Sequence, residues 1–131
     1  MLDFYLFDKH GLIEDEDDSE EYDMLDLRIG DVREMYLSLA DAFFEKKIWN
    51  DAERFYKGAL LMTMRIYGTE SLEYLMGVYN IARVHKARDM DILSEDLLRS
   101  IAYDLEVLVG FEHEATLMVY SDLSRLVCSF K

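Results

Sequence analysis

The stretch Tyr36-Leu-Ser-Leu-Ala40, followed by Trp49-Asn-Asp-Ala52-Glu-Arg-Phe-Tyr56-Lys-Gly-Ala59-Leu60, decides how this chain folds. Apolar residues recur in both pieces at three- and four-residue spacing, the period of a helix with one buried side. Two helices joined by only a few residues fold back as an antiparallel hairpin. Ala40 and Ala52 are small enough to let the two backbones approach. Tyr36, Leu39, Phe55 and Tyr56 then fill the space beyond the hairpin.

The same arrangement returns 42 residues later. At that shift Gly68 falls on Gly110, Glu70 on Glu112, Leu75 on Leu117 and Met76 on Met118. Tyr36 falls on Val78 and Tyr120, Leu39 on Ile81 and Leu123, and Ala40 on Ala82 and Ser124. Ala52 falls on Ser94 and Arg83 on Arg125, with no gap anywhere. Matched glycines and matched small residues are harder to obtain by chance than matched leucines. A hairpin cannot bury its outer side alone, so repeated hairpins must stack.

Working outward gives five helices. The first is expected at about 31–47, with Val32, Met35, Tyr36, Leu39, Ala40 and Phe43 on one side. The second is expected at about 50–67, started by Asn50 or Asp51 as a cap. The others are expected at about 70–88, at 91–109 with Gly110 ending the helix, and from about 112 onward. With no proline and six glycines in 131 residues, little interrupts them.

The quoted residues resemble the tetratricopeptide repeat family. The spacing of 42 residues, and Gly110-Phe-Glu-His113 as a linker, are similar to its long kinesin-light-chain type. Glu114 stands where that linker usually has proline, Asp89 where the turn usually has glycine, and Ile101 where alanine is customary. The resemblance covers residues 31–131, with repeats at about 36–77 and 78–119 and a partial third at 120–131. It implies an all-α fold of antiparallel hairpins stacked as a short right-handed array. A HEAT-like helical array is the alternative, because its period is similar.

The net charge of −14 is unevenly spread. Residues 1–30 hold eleven acids against Lys9 and Arg28, a net of −9, and residues 31–131 hold seventeen acids against twelve bases, a net of −5. The leader, 1–30, is read as an acidic, partly disordered segment, because its run of like charges from Glu14 to Glu21 resists packing. Nucleic acid and anionic membranes, which require a basic face, are not expected partners. No apolar run is long enough to cross a bilayer, no secretory signal opens the chain, and Cys128 has no second cysteine to pair with. A cytoplasmic protein is expected.

Chemistry is sparse. Asp15, Asp17, Ser19 and Asp26 take calcium-loop positions, but Glu20 stands where the loop needs glycine. His113-Glu114 opens like a zinc-protease helix, yet Leu117 replaces its second histidine. His10, His85 and His113 lack ligand spacing, and His85 matches Phe43 as a packing residue. Cys128 reads as a buried or interface thiol. No metal, no cofactor and no enzymatic activity are expected.

Binding is the expected function. The family resemblance implies ligand capture on a concave face built by the first helix of each hairpin. That register puts inward Leu37, Asp41, Phe44, Met76, Tyr79, Asn80, Arg83, Lys86, Met118, Ser121 and Arg125. Asn80 matches the family position whose amide bonds a ligand backbone, while Ser38 and Asp122 replace it in the flanking copies. Arg83, Lys86 and Arg125 form a basic patch suited to a carboxylate. The bland alternative pairs them with Asp41 or Asp122. The leading expectation is an adaptor or scaffold holding a peptide or helix of a protein partner. The alternative is an acidic inhibitor or immunity-type protein capping a basic partner, and a third is a self-assembling structural subunit. The leader folding back over its own groove is a further alternative. Met118, Val119, Leu126 and Phe130 are expected to be left over as an apolar patch, covered by Phe4-Tyr5-Leu6-Phe7 or by a second copy in a homodimer.

Overall fold

A computed structural model describes residues 28–128. Helices α1 (Ile29–Glu45), α2 (Trp49–Tyr67), α3 (Leu72–Ala87), α4 (Asp91–Val109) and α5 (Glu114–Cys128) follow one another. They hold 85% of the described residues, and no strand occurs among these. Each helix packs mainly against the next. The acidic run with Asp15, Asp17, Ser19 and Asp26, together with His10 and Phe130, lies outside the described residues.

The shift of 42 residues governs the backbone. Moving α2 by it gives the bounds of α4, and moving the start of α3 gives the start of α5. The turns repeat as well. After α1, the amide of Ile48 donates to the carbonyl of Phe43 at 2.9 Å and that of Lys47 to Phe44 at 3.0 Å. After α3, Met90 donates to His85 at 2.8 Å and Asp89 to Lys86 at 3.0 Å. Both turns need a left-handed residue to satisfy the last carbonyls of the helix. Lys47 (φ 64°) and Asp89 (φ 62°) supply it. The second helix of each hairpin ends at Gly68 (φ 82°, ψ 173°) or Gly110 (φ 98°, ψ 161°), a backbone region open essentially to glycine alone.

These turns displace the expected caps. Because the chain leaves α1 already turned, α2 begins at Trp49, with Ile48 at the cap position and no side-chain bond there. Asn50 and Asp51 therefore lie inside the helix. The side-chain cap falls at Ser71 instead, where Oγ accepts from the amide of Tyr74 at 3.2 Å. Its equivalent, His113, accepts from the amide of Ala115 through Nδ1 at 3.0 Å.

Small residues hold the hairpins close. Ala40, Ala52 and Ala82 are fully buried. Across the second hairpin, Ser94 Oγ donates to the carbonyl of Ala82 at 3.0 Å. Around the first crossing, Phe55 stacks on Phe43 with ring centres 5.6 Å apart and meets the edge of Tyr36 at 5.2 Å. Tyr56, Leu60, Tyr74, Ile81, Ile101 and Leu105 complete the core. His85 is buried at the crossing of α2 and α3, with Nε2 3.7 Å from a Glu53 carboxylate oxygen.

Three packing expectations are corrected. In α1, Val32, Met35 and Leu39 are exposed. The helix meets α2 through Tyr36, Ala40 and Phe43, and those three lie to one side of that line. In α5, Val119 is 0% and Leu126 1% exposed, so neither belongs to a leftover patch. The stripe Val119, Leu123, Leu126 turns inward, about one residue of rotation from the expected Tyr120, Leu123, Val127. Apolar residues encircle much of α5, so its periodicity alone does not select the buried side. Cys128 is exposed rather than buried.

Candidate functional site

Spacings of four and three on α3 place Tyr79, Arg83 and Lys86 along one side, since residues three and four apart are neighbours on a helix. Phe44 near the end of α1 and Asp122 and Arg125 on α5 converge on the same side. Together they enclose a groove of ≈ 430 Å³. Its floor is Ala82, Ser94, Leu98 and Leu126. The small residues that bring α3 and α4 together thus also deepen the groove.

Arg83 sits in its middle, half-buried. Its guanidinium carbon lies 4.4 Å from the centre of the Phe44 ring, and Nη1 donates to Asn80 Oδ1 at 3.2 Å. Among the described residues Arg83 forms no ion pair with a carboxylate. The anticipated partners are engaged elsewhere: Asp41 accepts from the Tyr56 hydroxyl, and Asp122 accepts both from Tyr79 at 2.5 Å and from Arg125. Of the two alternatives for the basic patch, Arg125 follows the paired one and Arg83 does not. Lys86 is exposed and forms no ion pair among the described residues.

Tyr79 is pushed up to about 12 by burial and by the Asp122 carboxylate it bonds. The same two causes, burial first and then Asp41, raise Tyr56. Both phenols therefore stay protonated at neutral pH and act as donors. The two tyrosine–aspartate pairs lie close enough to Arg83 for its charge to act on both phenols, and they keep Asp41 and Asp122 occupied.

A second hollow of ≈ 270 Å³ adjoins the first between α1, α2 and α3. Leu37, Met76 and Asn80 line it with Arg33, over a floor of Tyr56 and Leu60. Arg33 is occupied there, with Nε donating to Thr63 Oγ1 at 2.6 Å and its guanidinium 5.2 Å from the Tyr67 ring centre.

Of the residues expected to face inward, the first hollow thus gathers Phe44, Tyr79, Arg83, Lys86 and Arg125, and the second Leu37, Met76 and Asn80. Asp41 is exposed beside them and held by Tyr56. Met118 and Ser121 line neither hollow; Ser121 Oγ accepts from Arg125 at 3.1 Å. Asp122, Leu98, Arg33 and Gly77 were not foreseen as lining residues. Gly77 carried a signal, because a glycine inside a helix usually has a packing reason. A Cβ there would stand 2.7 Å from Leu60 Cδ1.

Comparison with known proteins gives no match to a family model, a curated protein or a solved structure.

Proposed function

We propose that this chain is a non-enzymatic protein-interaction module of the cytoplasm, an adaptor or scaffold. In this reading its hairpins form a right-handed tetratricopeptide-like array. The side built by α1, α3 and α5 is the concave face. A peptide or helix of a partner protein lies along it, with a carboxylate against Arg83 and an apolar side chain in the hollow beside Leu37 and Met76.

The observation that carries the reading is Arg83. It is positioned by an aromatic ring and an amide, faces a groove, and has no carboxylate partner among the described residues. A guanidinium prefers two-pronged contact with a carboxylate, so this arrangement suits an acid arriving from outside. The two tyrosine–aspartate pairs support it by keeping the nearest internal acids occupied.

Capture with the immobilised full chain from its native host, run beside Arg83→Ala and Asn80→Ala, tests the proposal. A protein retained by the wild type and lost with both variants is the expected result. Identical capture by all three would overturn it.

A further inference from the structure

Val32, Met35, Leu39 and Ala42 form one line along α1, at the three- and four-residue spacing of a helix side. Val32 is 37%, Met35 60% and Leu39 41% exposed, and Ala42 is exposed as well. Two repeat shifts on, the same line is Thr116, Val119, Leu123 and Leu126 of α5, all buried. Because α5 packs mainly on α4, the helix before it, this is the side that receives the preceding helix. One shift on, the line is Tyr74, Gly77, Ile81 and Val84 of α3. The three with side chains are fully buried, and a Cβ at Gly77 would stand 2.7 Å from Leu60 of α2, again the helix before. Only on α1 is the line bare, because among the described residues no helix precedes it.

We propose that the chain's own Met1–Phe7 segment covers this line and closes the open end of the stack. The repeat points to the occupant's origin, since α3 and α5 are each covered by the stretch of chain just before them, four residues away. Residues 1–27 stand in that position before α1. Chemistry decides which part of them fits. In the register of the repeat, Asp18 would take the place of Leu60 and lie over Met35, and Glu14 would take the place of Tyr56. Carboxylates buried without partners are too costly there, so strict repetition ends at α1. Leu2-Asp-Phe-Tyr-Leu-Phe7 is the leader's densest apolar block and holds one acid, Asp3.

Reach and charge fit as well. The chain between Phe7 and Arg28 spans up to roughly 65 Å when extended, against about 25 Å for the whole of α1. The block can therefore lie on the line while the acidic run from Glu14 to Glu21 stays in water. Arg28 and Lys46 continue the line by one turn at either end and are exposed, setting positive charge beside a site for an acidic leader. Tethering favours this occupant over a second copy. A tethered segment is held at an effective concentration on the order of millimolar, whereas two copies meet with −14 on each. Leu37 and Phe44, which line the two hollows, leave α1 on another side, so the site is separate from the groove at Arg83.

Cysteine pairing in the full chain tests this, in a Cys128→Ser background carrying Asp3→Cys. A short bismaleimide joins that position to a second cysteine placed at one of three exposed serines, Ser38 on α1, Ser100 on α4 or Ser124 on α5. The decisive reading is the change in rate when apolar contacts are removed, since the tether alone favours the nearest site. We expect Ser38→Cys to join within one chain. Its rate should fall about fivefold or more in Phe4→Gln/Phe7→Gln, and equally in Met35→Gln/Leu39→Gln with unchanged circular dichroism, as loss of two buried apolar side chains requires. Joining at Ser100→Cys should be indifferent to both. A Ser38→Cys rate that neither pair of substitutions slows overturns the proposal. So does joining between two copies in place of within one, which assigns the line to a second copy. So does a Ser124→Cys rate that falls with the leader substitutions, which puts the block on α5.

Discussion

The guanidinium of Arg83 rests 4.4 Å from the centre of the Phe44 ring, joining α3 to α1 across the groove. Such a contact contributes about 0.5–1 kcal/mol at exposed sites and more when desolvated. It also fixes the direction in which the arginine donors point.

Replacing Phe44 with leucine keeps apolar area but removes the ring that orients Arg83. We expect a partner segment captured through the groove to bind Phe44→Leu about two- to fivefold more weakly, from the magnitude of that contact. Arg83→Lys should lose at least as much, since an ammonium lacks the planar fork. Fluorescence anisotropy with the captured segment measures both. Wild-type affinity in Arg83→Lys would mean that the guanidinium does not contact the ligand.

At the crossing of α3 and α4, Ser94→Ala removes one buried hydrogen bond and should cost about 1 kcal/mol. Ser94→Leu should cost about 3 kcal/mol or more, because a larger side chain must force the two helices apart. Urea unfolding with a shared slope reads both. A mild Ser94→Leu would show that the hairpin does not depend on close approach.

The turn residues make opposite predictions. Lys47→Gly and Asp89→Gly relieve a left-handed conformation and should raise stability by up to about 1 kcal/mol. Gly110→Ala places a Cβ in a region closed to it and should cost about 1–3 kcal/mol. Thermal melts of the three variants decide this, and a stabilising Gly110→Ala would contradict the turn geometry.

Stability should fall on acidification. Burial holds the His85 imidazole below its ordinary range, outweighing the pull of the neighbouring Glu53 carboxylate. A folded-state value below the unfolded one means that the contribution is complete above about pH 6.5, the ordinary histidine value. It is lost as pH falls through the folded value, because the unfolded chain takes the proton more readily. Burial raises Glu53, but Lys57, His85 and Arg88 outweigh it and bring the carboxyl below its ordinary value of 4.5. Its contribution is complete above about pH 4.5 and is lost below. His85→Phe, which copies Phe43 of the first hairpin, should flatten the decline between neutrality and pH 5. An unchanged melting-temperature profile in that variant would exclude His85 as its cause.

Much of the helical layout is legible in the sequence because small residues and glycines carry it. Ala40, Ala52, Ala82, Ser94, Gly68 and Gly110 mark crossings and ends at one constant interval; the first four are buried at close crossings and the two glycines hold a positive φ. The rotation of α5 is not legible, since Met118, Val119, Leu126 and Val127 are equally apolar and only the packed helix selects among them. Asn50 and Asp51 have the side chains of caps but do not act as such, because backbone bonds after α1 have already begun α2 at Trp49. At the candidate site, residue types and their common side are readable. Which acid meets which base is not, because Asp41 and Asp122 were available to several partners and turned to tyrosines.

The main packing joins only neighbouring helices, so the link between the ends of the stack falls to a few side chains that skip a helix. Arg83 on Phe44 ties α3 to α1, and Tyr79 on Asp122 ties α3 to α5. These contacts between α1, α3 and α5 add to the neighbour-to-neighbour packing of the stack. Cutting either fastening should let the hairpins fray one at a time instead of melting together.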